Sequence, residues 1–99
     1  MAARRIIWSK RAKNDLLTIL DFYFQRNGTK TYSSKINSVL NESVKVLTRH
    51  PYIGKVTDLQ DIRCLIKGDY NIFYEIKAGT IEILTIWNSR QNPEELRIK

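Results

Sequence analysis

The chain has 99 residues and a formal net charge of +7, with 42% hydrophobic and 27% charged residues. This length suits one small domain (1–99), and the apolar fraction excludes a disordered chain. One cysteine and one histidine exclude an internal disulfide and a closed zinc site, so we expect no metal and no cofactor. No stretch resembles a signal peptide or a membrane span, which predicts a cytoplasmic protein with no membrane contact.

The positive charge lies in the first part of the chain. Residues 1–59 contain eleven Lys or Arg and four Asp or Glu, a balance of +7, whereas residues 60–99 contain six of each. A basic surface favours an acidic partner such as nucleic acid, the ribosome or an acidic protein. A charge that serves solubility alone is the alternative.

The first half of the sequence predicts a strand and a helix. Residues 4–8 combine β-branched and aromatic side chains, as strands do. Ser9 then occupies the position of a helix N-cap, and Asn27-Gly28 marks the end of the helix. Apolar residues between these two signals recur at helical spacing: Ala12, Leu16, Ile19, Leu20 and Tyr23.

A second helix follows, with Thr29 or Thr31 as its predicted cap and His50-Pro51 as its end. The two helices form an antiparallel hairpin. Its inner stripe is predicted from the same spacing: Tyr32, Ile36, Val39, Leu40, Ser43, Val44 and Leu47.

The second half changes to the period of two that strands show, after a predicted loop at 52–59. The predicted strands are 62–67, 70–77 and 80–87, joined by tight turns at Gly68-Asp69 and Ala78-Gly79. The last strand is apolar on both sides, which predicts a central position. The pattern therefore predicts an α+β fold: an N-terminal strand, an antiparallel two-helix hairpin, a three-strand antiparallel meander and a short helix at 92–96. It predicts one antiparallel sheet with the helices on one face.

Polar residues on or beside the sheet are the candidates for chemistry. Two arginines that converge on a sheet, Arg63 and Arg90, would bind phosphate through forked, charge-assisted hydrogen bonds. Lys67 and Glu75 are candidates for proton transfer. The alternative for each residue is a solvated or salt-bridged surface position.

Aromatic residues accompany these charges. Phe73 is placed on the face of Arg63, and Trp87 and Asn71 are expected nearby. Such aromatics stack on bases or seat an apolar helix of a partner. Packing within the core is the alternative for Trp87.

Two segments resemble those of RelE/ParE-type toxins. Residues 62–76, with Gly68, Tyr70 and Tyr74, resemble the family's hairpin, and residues 81–93 resemble its last strand and arginine-containing segment. The loop that begins at His50-Pro51 also fits. The resemblance implies a growth-inhibiting toxin of a type II toxin–antitoxin pair, of the kind that stabilises plasmids. It also implies a cognate antitoxin that wraps the toxin with a largely helical segment, giving a hetero-oligomer.

The resemblance implies one of two targets. ParE-like members inhibit DNA gyrase by binding, and RelE-like members cleave messenger RNA on the ribosome. RelE-like nucleases typically have an arginine where this chain has Asn71, and asparagine supplies no positive charge to a phosphoryl transition state. Their usual C-terminal Tyr or His is also absent after Trp87. Arg63 and Arg90 do match family positions.

These matches and departures favour a ParE-like gyrase inhibitor, with Asn71, Phe73 and Trp87 binding the target or the antitoxin. The first alternative is a ribosome-dependent endoribonuclease with Arg63, Arg90, Lys67 and Glu75 as its catalytic residues. The second is a non-toxic module that binds an antitoxin and has a regulatory role.

Overall fold

The computed structural model describes residues 4–89, which form two helices and five strands. In chain order these are β1 (Arg5–Trp8), α1 (Lys10–Asn27), α2 (Thr31–Val46), β2 (Lys55–Val56), β3 (Ile62–Lys67), β4 (Tyr70–Lys77) and β5 (Thr80–Asn88). The order of strand, helical hairpin and three-strand meander confirms the predicted α+β fold. The predicted helix at 92–96 lies outside the described residues.

The strands form one sheet in the order β1-β5-β4-β3-β2. Strands β3 to β5 form the predicted antiparallel meander, β2 pairs antiparallel with β3, and β5 is an inner strand between β1 and β4. The expectation of a wholly antiparallel sheet is wrong for β1, which pairs with β5 in parallel. The Arg4 N–H donates to the carbonyl of Thr48 at 3.4 Å, so the chain after α2 returns to the end where β1 began. The two antiparallel pairings of the meander then give β5 the direction of β3, which is also that of β1. β2 was predicted as loop, because two residues are too few to show a pattern.

The ends of α1 follow the predicted signals. The Ser9 hydroxyl accepts a hydrogen bond from the backbone N–H of Ala12 at 3.0 Å. Gly28 ends the helix with a φ of 71°, and its N–H donates to the carbonyl of Phe24 at 2.8 Å. Glycine suits this left-handed position because it has no Cβ.

The ends of α2 differ from the prediction. Lys30 stands at the N-cap with near-helical backbone angles and no side-chain cap, so neither Thr29 nor Thr31 has the predicted capping role. The connection from α1 is only three residues long, which leaves no room for an extended capping residue. The helix ends at Val46, before Pro51, and the chain continues through hydrogen-bonded turns.

The main core lies between the helices and one face of the sheet. Its fully buried members include Leu40, Leu47, Tyr74, Ile83 and Ala12. A β-bulge interrupts the pairing of β4 with β5, where Phe73 faces Thr85 and Tyr74 faces Ile83. The extra residue on β5 allows Ile83 and Ile86, three positions apart, to join the same core.

The start of α1 is fastened to this bulge. The Asp15 carboxylate accepts hydrogen bonds from the Thr85 hydroxyl at 2.5 Å and from the Ile86 N–H at 3.1 Å. The Ser9 hydroxyl donates to the carbonyl of Leu84 at 2.9 Å. Polar groups that the bulge leaves outside the strand ladder thus find partners on the first turns of the helix.

Candidate partner-binding site

Arg63 is engaged in holding a loop. Its Nη1 donates to the backbone carbonyls of Tyr52 at 3.1 Å and Gly54 at 2.8 Å. Its guanidinium also lies 5.1 Å from the centre of the Tyr52 ring, a cation–π distance. These contacts attach the loop that precedes β2 to strand β3. They also occupy the guanidinium donors that the phosphate-binding hypothesis assigned to a ligand.

The other polar candidates are not gathered around Arg63. Lys67 is on the same face of β3 as Arg63, but it is four residues away, a distance of roughly 13 Å along an extended strand. Glu75 pairs with Ile62, whereas Arg63 pairs with Tyr74, so Glu75 and Arg63 lie on opposite faces. Arg90 lies outside the described residues. The described part of the chain therefore does not bring Arg63, Lys67 and Glu75 into one catalytic group.

The placement of Phe73 corrects the sequence-based face assignment. Phe73 pairs with Cys64, so it lies on the face opposite Arg63. The cause is the two-residue turn after β3, which sets Lys67 opposite Tyr70 and fixes every later pair. Phe73 is also buried, so its ring is not a free surface for stacking.

Asn71 and Trp87 do come together. They face each other across β4 and β5, on the side of the sheet away from the helices. Both side chains are half-buried. The buried Trp87 Nε1 has no hydrogen-bond partner among the described residues.

A groove runs between α2 and the end of β3. One hollow of about 430 Å³ is lined by Ser38, Val39, Glu42, Ser43, Val46 and Lys67. A second hollow of about 200 Å³ shares Val39 and Lys67 with the first and extends to three tyrosines, Tyr23, Tyr32 and Tyr70. Because the two hollows share Val39 and Lys67, we describe them as one surface and name it the α2–β3 groove.

The tyrosine end of the groove is well ordered by its own contacts. The Tyr70 hydroxyl donates to that of Tyr23 at 3.0 Å, and the rings of Tyr23 and Tyr32 meet edge to face with centres 4.7 Å apart. Burial, followed by the hydrogen bond to Tyr23, raises the pKa of Tyr70. This end combines three tyrosine rings with Lys67 and Asp69, and its aromatic part is suited to an apolar side chain.

Sequence reasoning missed this groove. Val39 was assigned to the buried stripe of α2, yet it is only half-buried. Val46 lies outside that stripe and is exposed, so it adds an apolar side chain to the surface of α2. The available signal was the width of the apolar surface of α2, which is broader than one packed face needs.

The structure offers no sign of other site types in its described part. Residues 4–89 contain no cluster of His, Cys, Asp and Glu able to hold a metal ion. Burial raises the pKa of the Cys64 thiol, and nearby Lys55 partly offsets this, so Cys64 is a poor nucleophile. None of the described helices is long and apolar enough to cross a membrane.

Comparison with known proteins agrees with this scaffold. The chain resembles, at 23% identity, a chain from the chromosomal ParDE toxin–antitoxin system of P. aeruginosa, with a TM-score of 0.77. The match covers 87% of this chain and 96% of that one, which establishes a shared fold. No curated protein sequence matches. The fold of this chain is therefore that of a small chain from a toxin–antitoxin system.

A family model narrows this class. The model of the ParE toxin of the type II toxin–antitoxin system parDE matches residues 6–93. The chain therefore belongs to the ParE toxin family.

Proposed function

We propose that this ParE-family chain inhibits DNA gyrase by binding it in the cytoplasm, and that a cognate antitoxin neutralises it by occupying the α2–β3 groove. The observation that carries the proposal is the family match over residues 6–93. The basic first half of the chain suits an acidic protein partner.

The arrangement of polar side chains supports action by binding. A nuclease of this fold would need cations and a proton-transfer group around one phosphate. Arg63 holds backbone carbonyls, Lys67 is about four residues further along β3, and Glu75 is on the other face. Asn71, in the position where RelE-like nucleases have an arginine, adds no charge.

The shape of the groove suits a helical segment of an antitoxin. The stretch of α2 from Tyr32 to Val46 is about 21 Å long at the usual rise per residue, which matches four turns of a partner helix. The lining mixes apolar side chains with Glu42 in the larger hollow, Asp69 in the smaller one and Lys67 in both. An amphipathic helix with apolar residues on one face, an acidic residue near Lys67 and basic residues near Glu42 and Asp69 would be complementary.

A supercoiling assay tests the proposed target. Purified chain is titrated into a reaction with bacterial DNA gyrase and relaxed plasmid. We expect inhibition of supercoiling at micromolar protein or below, with relaxed plasmid accumulating. Unimpaired supercoiling across that range would remove gyrase as the target.

Co-purification tests the proposed antitoxin site. The partner is the product of the reading frame beside the gene, expressed with a tag. Val46→Asp places a charge in the groove and should prevent co-purification, whereas Leu17→Asp, on an exposed position of α1 that lines no hollow described here, should not. Equal recovery of wild type and Val46→Asp would reject the groove as the antitoxin site.

A further inference from the structure

A segment after α2 presents apolar side chains to solvent. It comprises residues 49–56, which are a loop and the short strand β2, and we name it the knuckle. Tyr52, Ile53 and Val56 are 61%, 56% and 76% exposed. Three large apolar side chains exposed so close together are unusual on a small domain and typical of an interaction surface.

Buried and charged groups hold the knuckle in one conformation. The fully buried Tyr74 hydroxyl donates to the carbonyl of Pro51 at 2.7 Å and accepts from the N–H of Gly54 at 2.9 Å. Arg63 donates to two further carbonyls of the loop and lies over the Tyr52 ring. The N–H of Ile53 donates to the carbonyl of His50 at 3.2 Å.

This rigidity favours binding. A loop that is already ordered loses little conformational entropy when a partner docks, so its exposed apolar groups contribute more fully to affinity. Beside these groups lies a hollow of about 410 Å³, lined by Arg49, His50, Pro51, Tyr52 and Ile53. The knuckle thus combines an anchor and an adjoining recess, as the centre of a protein interface does.

The charges at the knuckle indicate the chemistry of its partner. Arg49 and Lys55 are exposed within it. A neighbouring hollow shares Tyr52 and Val56 with the knuckle and is lined also by Asp58, Asp61 and Arg63. An acidic segment complements the cations at Arg49 and Lys55, away from these two aspartates. A protein suits the surface better than nucleic acid does, because Ile53 and Val56 offer nothing to a phosphate and Nη1 of Arg63 is committed to carbonyl oxygens.

The knuckle lies apart from the α2–β3 groove. The hollow at the knuckle shares no lining residue with either hollow of the α2–β3 groove. We propose that the knuckle is the surface through which this chain contacts gyrase, by docking against an acidic segment that carries an apolar side chain. This assignment rests on the proposed function.

Binding of purified bacterial DNA gyrase in the absence of DNA tests the assignment. The chain is immobilised and the affinity of the gyrase holoenzyme is measured for wild type, Ile53→Asp, Arg49→Glu and Leu17→Asp. Ile53→Asp should weaken binding about thirtyfold, as loss of an interface anchor does. Arg49→Glu should weaken binding most at low salt, and Leu17→Asp, an equally exposed apolar site on α1, should bind as wild type. Thermal unfolding of each variant verifies the fold.

The outcomes separate the two proposals. Gyrase binding by the wild type with equal binding by Ile53→Asp and Arg49→Glu would overturn the knuckle assignment and leave the proposed function intact. No gyrase binding by the wild type would overturn both. If these substitutions weaken binding to a DNA duplex or to the neighbouring-frame product while gyrase binding is unchanged, the knuckle has a different partner and the assignment falls.

Discussion

Gly54→Ala tests whether the knuckle is as tightly built as its contacts indicate. A Cβ at this position would lie 2.6 Å from the Tyr74 hydroxyl, 2.9 Å from Cε1 of its ring and 3.0 Å from the carbonyl oxygen of Cys64. Cβ atoms essentially never approach that closely, so the tyrosine or the loop must move. Tyr74 is fully buried among core residues and cannot swing into solvent.

The size of the effect follows from what the movement breaks. Displacement of the Tyr74 hydroxyl leaves a buried donor or acceptor without a hydrogen-bond partner, which destabilises the folded state by about 1–3 kcal/mol. Crowding in a packed interior adds about 1–3 kcal/mol. We therefore expect a loss of about 2–6 kcal/mol in the free energy of unfolding, or roughly 10–30 °C in melting temperature for a domain of this size.

Urea denaturation followed by tryptophan fluorescence measures this loss. Gly79→Ala is the matched control, because Gly79 has a positive φ of 77° but open space around it, so only backbone strain of about 1 kcal/mol applies. Combining Gly54→Ala with Tyr74→Phe should be less destabilising than the sum of the single changes, since the shortest clash is gone. A Gly54→Ala protein as stable as wild type would refute the reasoning. So would a double variant whose loss of stability equals the sum of the losses of the two single variants.

Three further predictions concern other parts of the structure. Asp15→Ala should lower the free energy of unfolding, measured in urea, by about 1–3 kcal/mol, because the Ile86 N–H and the Thr85 hydroxyl both lose their acceptor. Asp21→Ala, on the exposed side of α1, should leave the free energy of unfolding nearly unchanged. Burial raises the folded-state pKa of Tyr70 and Tyr74. Near pH 10 the unfolded state therefore releases protons that the folded state still holds. The free energy of unfolding should be constant up to about pH 9 and fall above it, and the fall should be less steep in Tyr70→Phe. A stability that rises above pH 10 would contradict those shifts. Val39→Asp, in the shared wall of the two hollows, should lower affinity for the neighbouring-frame product while gyrase inhibition persists; loss of both with an intact fold would contradict separate sites.

The helices and strands were accessible from the sequence where the signals are local. Ser9 and Gly28 mark the two ends of α1 because a cap and a left-handed residue need only their immediate neighbours. The meander was readable because alternation and two-residue turns are short-range features. The cap of α2 was not, since the short inter-helix connection, and not the preference of Thr29 or Thr31, determines the backbone at Lys30.

The placement of Phe73 beside Arg63 was wrong although the turn was predicted. A two-residue turn at Gly68-Asp69 sets Lys67 opposite Tyr70 and Arg63 opposite Tyr74, which puts Phe73 on the other face. Features that depend on distance along the chain were not accessible in the same way. The bulge at Leu84 has no signature within an apolar run. The contact of Tyr74 with Gly54 joins residues 20 positions apart and depends on the completed fold.

The candidate site shows the same division. Arg63 was identified as a distinctive residue, but its use in holding a loop became visible only with the carbonyls of Tyr52 and Gly54 beside it. The α2–β3 groove arises from the space between a helix and a sheet edge, which no local pattern encodes. Asn71, Phe73 and Trp87 stay predictions as binding residues, and Arg90 lies outside the described residues.

The most direct test of the central claim, inhibition of gyrase by binding, is the order in which syntheses stop in cells. The chain is induced in a bacterial host that lacks the antitoxin, and incorporation of labelled thymidine and methionine is followed over the first minutes. The account predicts that thymidine incorporation falls first while methionine incorporation continues and messages stay intact. A prior fall in methionine incorporation, with cuts inside translated codons, or undisturbed growth with both syntheses unchanged, would contradict it.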